Sequence, residues 1–224
     1  MNYFGILMDF LRNRSQFLDN LDKEAKLEKY TVALLICSSL FFAIYGAIIG
    51  SFSGWLQMLA SAVKLPALYL LTLIICLPTL YFLDVISGSK RTFNQYLALL
   101  LAGMAIISVT LLGLAPVTLF FRISINDYTF FKLWNVAIFI FTGLVGVTFF
   151  YRSTIYLGRS EERSPERSKQ IIKPWLFLYG LVGSQLGWVL RPFFGSPDRP
   201  FQLFREIESN FYLHFWKLIV NTFN

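Results

Sequence analysis

The chain has 224 residues, 56% of them hydrophobic and only 15% charged, with 24 phenylalanines and a formal net charge of +7. Soluble domains hold about 45–50% apolar and about 25% charged residues, so a water-soluble fold is excluded. A disordered chain is excluded by the hydrophobicity, and a disulfide scaffold by the presence of only two cysteines. The composition defines an all-α integral membrane protein, expected as a bundle of about five transmembrane helices with amphipathic interfacial helices at both ends.

Residues 1–30 come first. Phe4, Leu7, Met8 and Leu11 recur at helical spacing, and Leu18, Leu21 and Ala25 extend the stripe. Asp9, Asp19, Asp22, Glu24 and Glu28 interrupt any uniform apolar core, so no secretory signal is expected and the first span serves as the insertion signal. This segment is expected to lie on the cytoplasmic leaflet or to dock a partner protein.

A membrane crossing needs about 20 mainly apolar residues. Residues 31–192 hold five such stretches, at about 31–51, 65–83, 96–121, 133–151 and 175–190. The second is bounded by Lys64 and Asp84, the third ends at Arg122, and the fourth lies between Lys132 and Arg152. Lys64, Asp84, Arg122 and Lys132 are expected to snorkel to the interface. Pro66 is expected in the first turn of its helix, whereas Pro78 and Pro116 are expected as kinks. Residues 153–173 mix both charge signs and read as a solvated loop. The fifth stretch is the shortest and most polar, and a four-span chain with a re-entrant last segment is the alternative.

Residues 193–224 form an aromatic cap. Trp188 and Arg191 sit one helical turn apart, so indole and guanidinium can lie together at the interface. Pro192, Pro197 and Pro200, with Gly195, forbid a continuing helix. Phe193, Phe194, Phe201 and Phe204 are then expected to anchor the loop at headgroup depth or to plug a cleft. Arg191 and Arg205 have Asp198, Glu206 and Glu208 as candidate partners. A final amphipathic helix, about 210–220, would place Trp216 in the aromatic belt.

Basic residues set orientation. Arg12, Arg14, Lys23, Lys26, Lys29, Lys90, Arg91, Arg152, Arg159, Arg163, Arg167, Lys169 and Lys173 fall on one side of a five-span topology. Lys64, Arg122, Lys132, Arg191, Arg199, Arg205 and Lys217 fall on the other, and the two groups account for all 20 basic residues. The larger group places the N-terminus in the cytoplasm. Because these charges are dispersed along membrane edges, headgroup attraction accounts for them, and nucleic acid is not an expected partner.

Chemistry needs titratable groups brought together, and the spans offer few. His214 is the only histidine; Cys37 and Cys76 lack metal or redox spacing and read as packing residues. No Walker loop, dinucleotide fingerprint or zinc motif is present, so no catalytic residue, cofactor or metal is assigned. Small-residue faces are the stronger signal. Gly46 and Gly50 form a GxxxG element, and Gly180, Gly183 and Gly187 share a face with Gln185 alongside. Such faces let helices approach closely, within the bundle or against another membrane protein.

The stretch Leu186-Gly-Trp-Val-Leu-Arg-Pro-Phe-Phe-Gly-Ser-Pro197, followed by Pro200-Phe-Gln-Leu-Phe-Arg205 and Ser209-Asn-Phe-Tyr212, resembles a group of uncharacterised bacterial polytopic membrane proteins. Residues 64–81 are similar to the same group and to Yip1-like five-span proteins. The resemblance implies a five-span helical fold in a bacterial inner or internal membrane, and it carries over no catalytic residue. The expected function is a non-enzymatic accessory or assembly subunit that packs against other integral membrane proteins. A small channel or transporter with a polar path near Gln185 is the alternative. A hydrophobic pigment or a lipid is the ligand class that the Phe-rich surface would suit, with the bilayer as its surroundings.

Overall fold

In hydrocarbon the backbone must satisfy its own hydrogen bonds, which leaves the helix as the spanning element for a chain without strand patterning. The computed structural model describes residues 2–125, 127–160, 165–195 and 200–205, and among these it contains helices and no strand. In chain order they are α1 (Tyr3–Arg12), α2 (Arg14–Asp22), α3 (Leu27–Gly50), a 3-10 turn at Ser51–Ser53, α4 (Trp55–Ile86), α5 (Phe93–Ser124), α6 (Tyr128–Ser160) and α7 (Pro165–Val189). Four stretches are long and apolar enough to cross a membrane: Leu27–Ser53, Trp55–Ile86, Phe93–Ser124 and Tyr128–Gly158.

α5 is the central helix. Its most apolar window is 67% buried, against 33% for α4 and for α6. Ala98, Ala102, Gly103, Ala105 and Ser108 are buried along it, and residues this small let neighbouring backbones come close. α3 packs against both α4 and α5, and α6 packs on α5.

The GxxxG element joins α3 to α4. A Cβ on Gly46 would lie 2.3 Å from the Ser61 carbonyl oxygen, and one on Gly50 would lie 2.5 Å from that of Gln57. Hydrogen is the largest substituent these positions admit, so this face is used inside the chain. Of the second small-residue face, only Gly183 meets a neighbour, with a Cβ position 3.7 Å from the Thr72 methyl; Gly180 and Gly187 face open space.

α4 begins at Trp55, well before the expected start near 65, which puts Pro66 in the helix interior instead of its first turn. The added turns are amphipathic. Gln57, Ser61 and Lys64 are buried, while Trp55, Leu59 and Val63 face outward.

α7 runs along α4 in the opposite direction. Trp175 donates from Nε1 to the Cys76 carbonyl at 3.1 Å, Gly183 meets Thr72, and the residues after α7 reach Gln57. α7 therefore traverses the bundle from the end carrying α1 and α2 (the basal end) to the α3–α4 turn (the distal end). Its uncharged stretch, residues 175–190, covers only about 24 Å at about 1.5 Å per residue, short of a hydrocarbon core of about 30 Å.

At the basal end α1 and α2 fold against the bundle. The buried side chains are Leu7, Phe10, Phe17, Leu18 and Leu21, whereas Phe4 and Met8 are exposed. The apolar stripe is thus split: one face covers the bundle, and Phe4 with Met8 points away from it. Phe10 anchors the joint, its ring centroid 4.8 Å from Phe17 and 5.9 Å from Phe149 of α6.

Candidate functional site

The densest polar construction lies at the distal end. After α7 the chain returns as a strap over the amphipathic start of α4, its backbone carbonyls turned toward that helix. Gln57 donates from Nε2 to the Pro192 carbonyl at 2.8 Å and to the Phe193 carbonyl at 3.2 Å. Ser61 donates to the Phe193 carbonyl and Ser53 to that of Phe194, the latter at 2.8 Å. Tyr128, from the start of α6, donates to the Gly195 carbonyl at 2.6 Å. Gly195 has φ +70°, and a Cβ there would meet Ser53 at 2.4 Å, so the strap passes where only glycine fits.

Lys64 completes this end. Its ammonium donates to the carbonyls of Pro192, at 3.3 Å, and Leu203, and lies 4.8 Å from the Phe204 ring centre. Expected to snorkel, it is instead only 4% exposed, because the strap covers it and supplies the oxygens that water would otherwise provide. Arg191 and Trp188 do lie together, with the guanidinium carbon 3.4 Å from the ring centre. The Arg205 amide donates to the Arg191 carbonyl at 3.3 Å and closes the strap on itself. Phe193 and Phe194 are half-buried against the core, whereas Phe201 and Phe204 remain exposed. Pro197, Asp198, Glu206, Glu208, His214, Trp216 and the expected final helix lie outside the described residues.

A second polar group ties three helices together below the strap. The Tyr45 hydroxyl donates to Asn135 Oδ1 at 2.8 Å and lies 3.3 Å from the Thr118 hydroxyl, while Asn135 donates to the Phe131 carbonyl at 2.8 Å. All three side chains are fully buried. Hydrogen bonds between membrane helices are worth about 0.6 kcal/mol on average and up to about 1.7 kcal/mol. Tyr45→Phe is therefore expected to cost about 1 kcal/mol, read as a lowered midpoint in detergent-titrated unfolding. An unchanged midpoint would show that this hydroxyl does not tie α3 to α6.

At the basal end Asp84 is also buried instead of snorkelling; it accepts a hydrogen bond from Tyr96, whose hydroxyl lies 2.9 Å from Ser89. Thr92 and Gln95 form a capping box at the start of α5. Gln95 also donates to the Leu21 carbonyl at 2.9 Å, and Thr92 to Glu24 at 2.9 Å, so the capped end of α5 holds the end of α2.

Of the residues singled out in the sequence, Gly46, Gly50, Gly183, Trp188, Arg191, Pro192 and Gly195 are brought into packing or strap contacts. Gln185 sits half-buried on α7. Gln57, Ser61, Tyr45, Thr118 and Asn135 carried no motif and emerge only from the packing. Cys37 and Cys76 are free and buried, in helix-packing positions on α3 and α4.

The fold and its apolar length define a multi-pass helical membrane protein. No protein-family model, curated protein or solved structure matches the chain.

Proposed function

We propose that the protein is a non-enzymatic accessory or assembly subunit of a larger complex in a bacterial inner or internal membrane. In this reading it is a Yip1-like bundle with five crossings and a cytoplasmic N-terminus, α7 being the fifth. Support for that crossing comes from α7, which runs antiparallel to α4 from Cys76 toward its start and delivers the strap to the distal end.

The observation that carries the reading is how polarity is used. Gln57, Ser61, Lys64, Tyr45 and Asn135 bind another helix or the strap, so these groups serve to hold one shape. The surface this shape presents is apolar: Leu71, Ile74, Ile75 and Phe82 face outward on α4, as do Leu133, Val136 and Ile140 on α6. Two peripheral apolar faces on a fixed scaffold suit packing against neighbouring subunits, and against lipid or a hydrophobic pigment between them.

Crosslinking in native membranes followed by mild-detergent purification tests this. Recovery of the chain with the same integral membrane partners is expected, with cysteines placed at Ile74 or Ile140 giving the highest crosslinking yield. A chain that always migrates alone would overturn the subunit reading. Solute flux in reconstituted vesicles that Gln185→Leu abolishes would replace it with the channel or transporter alternative.

A further inference from the structure

On the basal half of the bundle, α2, α5 and α6 enclose a groove of about 680 Å³, within the range of about 300–1,000 Å³ of small-ligand sites. Arg14 and Ser15 at the start of α2, and Arg152 on α6, line its mouth, while its wall is apolar, with Ile106, Phe141 and Leu144. Phe141 and Leu144 are 55% and 61% exposed, so the groove opens sideways to whatever surrounds the bundle.

Depth fixes the kind of occupant. Arg152 directly follows the uncharged part of α6 that begins after Lys132, so it stands at the edge of the hydrocarbon. From Arg152 to Phe141 the helix rises about 16 Å, half of a hydrocarbon core of about 30 Å. The groove therefore runs from headgroup level to the bilayer midplane, the reach of an acyl chain in one leaflet. Arg14 and Arg152 line the mouth where a lipid carries its phosphate, with Asp19 and Asp22 on the Tyr156 side of it, and guanidinium groups bind phosphate oxygens in pairs. Asn13 makes no side-chain hydrogen bond to the first turn of α2, which leaves the amides at Arg14 and Ser15 to add to the positive end. Tyr156, also at the mouth, donates to Asp19 at 3.3 Å, so the phosphate donors are Arg14, Arg152 and Ser15.

We propose that this groove binds one anionic phospholipid of the phosphatidylglycerol type, its phosphate between Arg14 and Arg152 and one acyl chain along α6 as far as Phe141. The inference needs only the membrane-spanning fold and stands apart from the subunit reading.

Native mass spectrometry of the full chain in mild detergent tests it, with phosphatidylglycerol and phosphatidylcholine of identical chains as probes. One phosphatidylglycerol is expected to bind about tenfold or more tighter than phosphatidylcholine. Arg14→Gln with Arg152→Gln should remove that preference, and Leu144→Trp, which fills the groove from its exposed side, should weaken both lipids. An unchanged thermal midpoint confirms that each variant is folded. Equal affinity for the two lipids overturns the proposal, as does a preference that survives loss of both arginines. Displacement of the lipid by glycerol phosphate at equal concentration overturns the acyl-chain part.

Discussion

Leucine in place of Gly46 is expected to yield no folded protein. A Cβ at this position would stand 2.3 Å from the Ser61 carbonyl oxygen and 3.1 Å from the Ala62 Cα. These are backbone atoms of α4, so no side-chain rotation relieves the clash; the helix itself must move. Moving it pulls Gln57, Ser61 and Lys64 away from the strap and widens the α3–α4 contact, the most extensive in the bundle. Overpacking costs about 1–3 kcal/mol where side chains can adjust, and a leucine against a fixed carbonyl lies beyond that range. Gly46→Ala should already lower the unfolding midpoint. Gly180→Ala is the contrast, since nothing lies within 4 Å of its Cβ position and alanine favours a helix; it should match or slightly exceed the parent. Size-exclusion profiles in mild detergent give the comparison. A monodisperse peak from Gly46→Leu, or a lost one from Gly180→Ala, would refute this account of the two faces.

That contrast also marks how far the sequence can be read. Spacing identifies Gly46, Gly50, Gly180, Gly183 and Gly187 as small-residue faces, because period alone places them on one side of a helix. Which face meets a backbone depends on a neighbour that period does not encode. The long apolar helices were legible for a simpler reason: hydrocarbon thickness fixes their length, so the stretch near 31–51 matches α3 and the first residue of the 3-10 turn, and those near 96–121 and 133–151 stand inside α5 and α6. The start of α4 was not. Residues 55–64 mix Gln57, Ser61 and Lys64 with apolar side chains and read as a connection; they are helical because a strap 135 residues further along covers their polar side. The same long-range cover explains Lys64. Its position at a span boundary was legible, its burial was not. In α1 and α2 the apolar stripe announces a covered face, but hydrophobicity has no way of saying whether lipid or protein covers it; Phe10 packed between Phe17 and Phe149 answers for protein.

Lys64→Met is expected to loosen one part of the strap and leave another in place, because the two carbonyls that Lys64 serves are unequally supported. Methionine keeps much of the length of the stem and removes the donors. The Pro192 carbonyl retains Gln57 Nε2 at 2.8 Å, and the neighbouring carbonyls of Phe193, Phe194 and Gly195 keep Ser61, Ser53 and Tyr128. The Leu203 carbonyl, by contrast, takes its hydrogen bond from Lys64, whose charge also lies over Phe204. A hydrogen bond to a charged group is worth about 1.5–3 kcal/mol, so losing this one should raise local opening of residues 200–205 by about tenfold to a hundredfold. Amide hydrogen exchange reads such openings segment by segment. Faster exchange across 201–205, with little change at 193–195, is the expected pattern, and Gln57→Leu should shift the loosening to 193–195. Equal acceleration along the whole strap would mean that it opens as one unit. No acceleration anywhere would mean that Lys64 is covered by the strap without holding it. The graded pattern follows if each donor on the first turns of α4 secures its own carbonyl, which would make the otherwise unmarked sequence Gln57-x-x-x-Ser61-x-x-Lys64 the latch for the strap.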